Sequence, residues 1–308
     1  MGTPFVLPET SAVLSGLAEQ GGPHLADMSA SEMRATYLQL GALFDEPPDA
    51  SVRSTDFVGA GCRLRAYFPG VAKAGPVILY MHGGGWVIGD LDTHHPICTL
   101  LAAQTGMRVV AVDYRLAPEH IFPAAHDDCL AAARFVQGSP PELEAPVTGI
   151  AVAGDSAGGN LALYLAGTMG AGAVVAQLLL YPLVDCTSPE RGSYRELAEG
   201  YVLDRKLMDR FIGDYLPGAV EAAGVAASPG LHPLSPGLPP TVIVTAGLDP
   251  LRDQGRALAA GIAALGVETH LIEAKGLIHG MATMRAAFPT ADSIIRRAIA
   301  MFADAIPR

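Results

Sequence analysis

The strongest constraint on the fold is a series of short apolar runs that recur from about residue 55 to the end of the chain: "PVILYMH", "RVVAVDY", "GIAVAG", "AVVAQLLLY", "PTVIVTAG" and "VETHLIEA". Several are almost continuously apolar, which is the pattern of strands buried on both faces rather than on one. Helix-like segments separate them, among them "FPAAHDDCLAAARFVQG", "SAGGNLALYLAGTMG" and the final "TADSIIRRAIAMFADAI", where Ile294, Ile295, Ala298 and Phe302 fall near one face. Alternation of this kind predicts an α/β fold, a mostly parallel central sheet flanked by helices. "FVGAGCRLRAYF" reads as an initial hairpin. Covering both faces of such a sheet takes much apolar material. With 308 residues, half of them apolar and 17% charged, the chain can supply it, as one large α/β domain or two ordinary ones.

Two regions interrupt the alternation. In residues 1–45, "DMSASEMRATYLQLGALF" offers Ser29 and Glu32 as a capping box and Met28 with Met33 as a hydrophobic staple, and Met33, Tyr37 and Leu40 share a face. In residues 185–235, "YVLDRKLMDRFIGDYL" places Leu207, Met208, Phe211, Ile212, Tyr215 and Leu216 on one broad stripe behind Asp204 as N-cap. Each stripe alone reads as a helix packed on the core. Together the two segments are expected to form a helical cap over the carboxyl ends of the strands, where open α/β sheets bind ligands. The catalytic domain is then residues 46–308, with 185–235 as an insertion.

The formal net charge of −11 opposes a nucleic-acid partner and an anionic membrane surface. The longest apolar tract, "AGAVVAQLLLYPLV", has 14 residues and is too short to span a bilayer. "MGTPFVLPETS" lacks the basic and apolar regions of a signal peptide. These readings predict a cytoplasmic protein without membrane insertion. Cys62, Cys98, Cys129 and Cys186 lie far apart without a CxxC pair, and the nine histidines show no HExxH pattern, so neither a disulfide framework nor a metal site is expected.

The strongest chemical signal is "IAVAGDSAGGNLALYLAG", a G-x-S-x-G match at residues 154–158 between an apolar strand and an Ala/Leu-rich helix. A serine on so sharp a turn sits in strained backbone, and small neighbours are needed around it. A phosphate-cradling helix start is the competing reading, but neither G-x-G-x-x-G nor a Walker Gly-Lys-Ser/Thr is present. Ser156 is therefore the candidate nucleophile. Its hydroxyl needs a base. His279, in a Gly-flanked loop after the last strand, suits that position better than His24, His120, His126, His232 or His270. The base needs an orienting carboxylate, and Asp249 follows a strand at the same edge, ahead of Asp253 and Glu273 as competitors. Finally, "MHGGGW" ends a strand in three glycines, where a tight turn requires only one. Bare amides there would suit a developing oxyanion.

"HGGGW" (82–86), "DYRLAPEH" (113–120), "GDSAGGNLA" (154–162), "DPLRD" (249–253) and "HG" (279–280) stand in the order and approximate spacing of one family. The chain resembles the bacterial hormone-sensitive-lipase-like carboxylesterases of the α/β-hydrolase fold. The resemblance implies Ser156 as nucleophile, His279 as base and acid, Asp249 as orienting carboxylate, and the amides of Gly84, Gly85 and Ala157 as an oxyanion hole. It implies a small-molecule ester of short or medium acyl chain as substrate, with no cofactor and no metal. A homodimer is compatible with it. An amide hydrolase on the same triad is the alternative, and a ligand receptor without turnover is a more distant one. Gly83 and His82 are expected to shape the loop, Trp86 to wall the pocket, and "DYRLAPEH" to be architectural. Two residues depart from the family pattern: Gln254, where Glu is common, and Met281, where an aromatic is common and whose change is expected to reshape the pocket near His279.

Overall fold

Strand β3 (Gly75–Met81) has no exposed residue and lies between two parallel neighbours, β4 (Arg108–Asp113) and β5 (Val147–Asp155). In this computed structural model, which describes residues 4–187 and 192–307, it lies near the middle of an eight-stranded sheet. The hairpin β1 (Arg53–Gly59) and β2 (Cys62–Phe68) forms one edge, with β2 antiparallel to β4. The other half is β6 (Val174–Leu180), β7 (Thr241–Leu248) and β8 (Thr269–Ile278), all parallel. The order β1-β2-β4-β3-β5-β6-β7-β8 reverses direction of growth at β3/β5, a switch point where the loops after the two strands diverge and leave a crevice.

The helices are α1 (Pro8–Gln20), α2 (Ala30–Phe44), α3 (His95–Thr105), α4 (Ala124–Gln137), α5 (Ala157–Thr168), α6 (Ser193–Glu196), α7 (Arg205–Tyr215), α8 (Ala219–Ala223), α9 (Arg252–Ala264) and α10 (Pro289–Ala305). Two buried apolar clusters lie on opposite faces of the sheet. One contains Leu79, Val152 and Leu161, and the other contains Ile78, Ala151 and Ile295, so alternate residues of each strand supply both. Among the described residues no helix is long and apolar enough to cross a membrane.

The capping box forms as the sequence predicts: the Glu32 amide donates to Ser29 Oγ, and the Ser29 amide donates to the Glu32 carboxylate at 2.8 Å. Asp204 caps α7 by accepting from the Leu207 amide at 2.8 Å. The two irregular segments touch one another. His24 Nε2 lies 2.8 Å from Asp204, Lys206 reaches Asp27, and Arg210 donates to the carbonyls of Ala26 and Met28. Residues 1–3 and 188–191, which belong to these two segments, lie outside the described residues.

Candidate active site

Ser156 sits at the sharp turn between β5 and α5 with φ 54 and ψ −118, a left-handed backbone that costs ~1 to 3 kcal/mol for a residue with a side chain. The turn packs so tightly under β3 that a Cβ at Gly158 would fall on the Met81 carbonyl. His279 follows β8, and its Nε2 accepts from the Ser156 hydroxyl at 2.8 Å. On the other side of the ring, Nδ1–H donates to Asp249 Oδ2 at 2.8 Å. Asp249 is fully buried after β7, where its Oδ1 accepts from the Leu251 amide at 2.8 Å. The structure thus joins the three residues singled out from the sequence. The competitors go elsewhere: Asp253 and Glu273 both pair with Arg256, and His270 pairs with Glu268 at 3.1 Å.

The glycine loop follows β3. Gly84 and Gly85 have φ of 113 and 60, and the amides of Val87 and Ile88 fold back to the Gly84 carbonyl. Among the described residues no hydrogen bond occupies the amides of Gly84, Gly85 or Ala157, the last being the first residue of α5. The absence of side chains is dictated by the protein itself. A Cβ at Gly83 would meet the Asp155 carboxylate, one at Gly84 the Ile88 carbonyl, and one at Gly85 the Phe211 ring.

Two expectations need correction. Trp86 does not wall the cavity. It is fully buried behind the loop and stacks at 4.6 Å on Tyr215 of α7. Met281 does not shape the cavity either: its long side chain turns into the core, and Thr283 and Met284 take the wall instead. Gln254 brackets the chain after β6, its Oε1 accepting from the Val184 and Asp185 amides, and is not among the residues that line the cavity with Ser156. The "DYRLAPEH" segment is architectural, since the Ala117 amide holds Trp86 O and Glu119 pairs with Arg34.

Ser156, His279, Gly84 and Gly85 line a cavity of about 100 Å³. Tyr37, Leu40 and Phe44 of α2 close one side, and Leu207, Met208 and Phe211 of α7 the other. A larger depression of about 570 Å³ between Asp185, Ser193, His232 and Asp253 contains none of the three joined residues. No group of His, Cys, Asp or Glu with metal-binding geometry occurs among the described residues.

Two buried histidines support this architecture. His126 accepts from the Tyr215 hydroxyl at 2.8 Å and faces Asn160 Oδ1 at 3.1 Å, which ties α7 to α4 and to the helix after Ser156. Sequence reasoning missed this link, which joins residues 89 apart. Burial pushes the His126 pKa down to about 4. His82, stacked on Tyr114, is likewise brought to about 4 by burial and by neighbouring His94. Free imidazole in the unfolded chain titrates near ~6.5, so between pH 6.5 and 4 the unfolded state binds more protons and stability falls with falling pH. The expected loss is about 3 kcal/mol per histidine by pH 4, levelling off within about a pH unit below it once both states are protonated. Urea unfolding at pH 7 and pH 4.5 should show the drop, and His126→Gln should remove part of it. An equal slope in the variant would exclude His126 as a source.

A strained serine, a histidine and a buried aspartate joined in this order at the carboxyl edge of a parallel sheet define a serine hydrolase. Comparison with known proteins agrees. A model of the alpha/beta hydrolase fold matches residues 78–283. Carboxylesterase NlhH of Mycobacterium tuberculosis is 40% identical over 253 residues, 79% of this chain and 78% of that one. An ethyl acetate hydrolase of Pseudomonas putida is 34% identical over 86% of this chain and 87% of its own. A thermostable esterase from Pseudomonas putida superimposes over the full length of both chains with a TM-score of 0.91 at 30% identity. The chain belongs to the hormone-sensitive-lipase-like branch of the alpha/beta hydrolases, the family its motifs resemble.

Proposed function

We propose that this carboxylesterase cleaves small neutral esters through a covalent acyl-enzyme on Ser156. The carrying observation is the unbroken chain from Ser156 Oγ through His279 to Asp249, each link 2.8 Å, at the wall of an apolar cavity. The Ser156 oxygen attacks the acyl carbon while its proton passes to Nε2 of His279. Asp249 holds the resulting imidazolium by its Nδ1–H. The amides of Gly84, Gly85 and Ala157 take the oxyanion, and such donors are worth ~3 to 4 kcal/mol each. Nε2 then returns the proton to the leaving alcohol, and a water activated by the same nitrogen releases the acid.

Residues 1–45 and 185–235 act as the cap over this site in our reading, with 46–308 as the catalytic domain. Their mutual contacts and the walls they contribute support that division. The small cavity favours short acyl chains, as does the name of the ethyl acetate hydrolase relative. Graded 4-nitrophenyl esters alongside 4-nitroanilides test the reading. Turnover should be fastest on acetyl to butyryl esters, with the acyl group trapped on Ser156 in the intact mass after acid quench. Faster anilide hydrolysis, or steady turnover with an adduct elsewhere, would count against it.

A further inference from the structure

Asp155 precedes the nucleophile and is almost fully buried, yet no step above uses it. An ionised carboxylate is costly to bury unless donors meet its oxygens. Here Oδ1 accepts from the Tyr80 hydroxyl at 2.8 Å and from the Gly83 amide at 2.9 Å, with His94 Nε2 at 3.2 Å. Burial pushes this carboxyl up, but His94 and the Tyr80 hydroxyl outweigh it and hold the group below its ordinary value. Tyr80 and Gly83 both come from the neighbouring element. The β3–β5 register sets Met81 opposite Gly154, which brings Asp155 beneath the loop that carries the glycine amides. The residue beside the nucleophile therefore grips that loop.

Gly83 supplies a second, independent observation. Its backbone lies outside the left-handed region, unlike Gly84 and Gly85, so φ does not require glycine there. A Cβ at this position would fall on the Asp155 carboxylate. The first glycine of the loop is bare because the carboxylate occupies that space.

We propose that Asp155 is a positioning residue whose carboxylate clamps the Gly83 amide and so fixes the aim of the Gly84 and Gly85 amides relative to the Ser156 hydroxyl. This rests on the esterase reading above. A misaimed oxyanion donor weakens the transition state and leaves ground-state binding almost untouched, so the effect belongs in kcat.

The test uses the full-length enzyme on 4-nitrophenyl acetate, with rates per competent site counted by phosphonate labelling. Wild-type turnover and its loss in Ser156→Ala test the esterase reading separately; failure there removes that reading itself. Given that turnover, Asp155→Ala should lower kcat by ~30- to 300-fold with KM within ~3-fold. Asp155→Asn keeps an acceptor for the Gly83 amide and should recover most of the loss. An asparagine as poor as alanine, or a loss confined to KM, overturns the proposal. Gly83→Ala should cost at least ~10-fold in kcat with Asp155 present and under ~3-fold in the Asp155→Ala background, where the carboxylate is gone and only the residue 155 carbonyl, 3.0 Å away, still meets the added Cβ. Equal costs in both backgrounds overturn it as well. Should Asp155→Ala not fold, Asp155→Ser is too short to reach the Gly83 amide and carries the same two comparisons.

Discussion

Ser156→Ala is expected to lower kcat on a short ester by ~10⁵-fold or more while leaving the thermal unfolding midpoint nearly unchanged. The substitution deletes one oxygen and its hydrogen bond to His279. It leaves the backbone at φ 54 under the same strain, because alanine meets the same Cβ clash there as serine. What remains is an apolar cavity and the amides proposed to take the oxyanion. Those still favour the tetrahedral geometry, so the residual rate should stay ~10³-fold above the uncatalysed one. A loss smaller than ~10²-fold would show that attack comes from water or another residue, and the acyl-enzyme would have to be abandoned.

What could be read ahead of the structure divides by the range of the interactions. Strand periodicity, the Ser29–Glu32 capping box and the Asp204 cap are local, and each stands where the sequence put it. His279 and Asp249 were legible for a topological reason. In a parallel sheet every strand delivers its following loop to one edge, so residues 123 and 30 positions apart meet there. Helix α1 was not legible: its N-cap Leu7 makes no side-chain bond, and its docking relies on Leu7 and Thr10 binding the Gly276 carbonyl, a contact no local pattern encodes. The large aromatic after the glycines was misread for a related reason. A tryptophan beside a site looks like a wall, but its destination depended on Tyr215 of α7, more than a hundred residues later. The glycines themselves were read as bare amides for a developing oxyanion, without a reason in the packing. Their space is in fact taken by Asp155, Ile88 and Phe211, and the amides are presented as a consequence of that packing.

Asp249→Asn is expected to cost ~10⁴-fold in kcat with the fold intact. The reason lies in the other oxygen of this carboxylate. Oδ1 accepts from the Leu251 amide at 2.8 Å, so an asparagine must keep its carbonyl oxygen there and turn its NH₂ toward His279. That NH₂ donates to Nδ1, which can then no longer carry a proton. The imidazole is forced into the tautomer protonated on Nε2, which faces the serine hydroxyl as a donor and cannot accept its proton. Raising the pH cannot correct a tautomer, so the loss should persist through the alkaline range. Asp253→Asn and Glu273→Gln serve as the controls, because both side chains are held by Arg256 rather than by the histidine, and each should change kcat by less than ~3-fold. Steady-state kinetics on a single 4-nitrophenyl ester separates these outcomes. A large loss at Asp253 or Glu273 with little at Asp249 would move the orienting role to that residue.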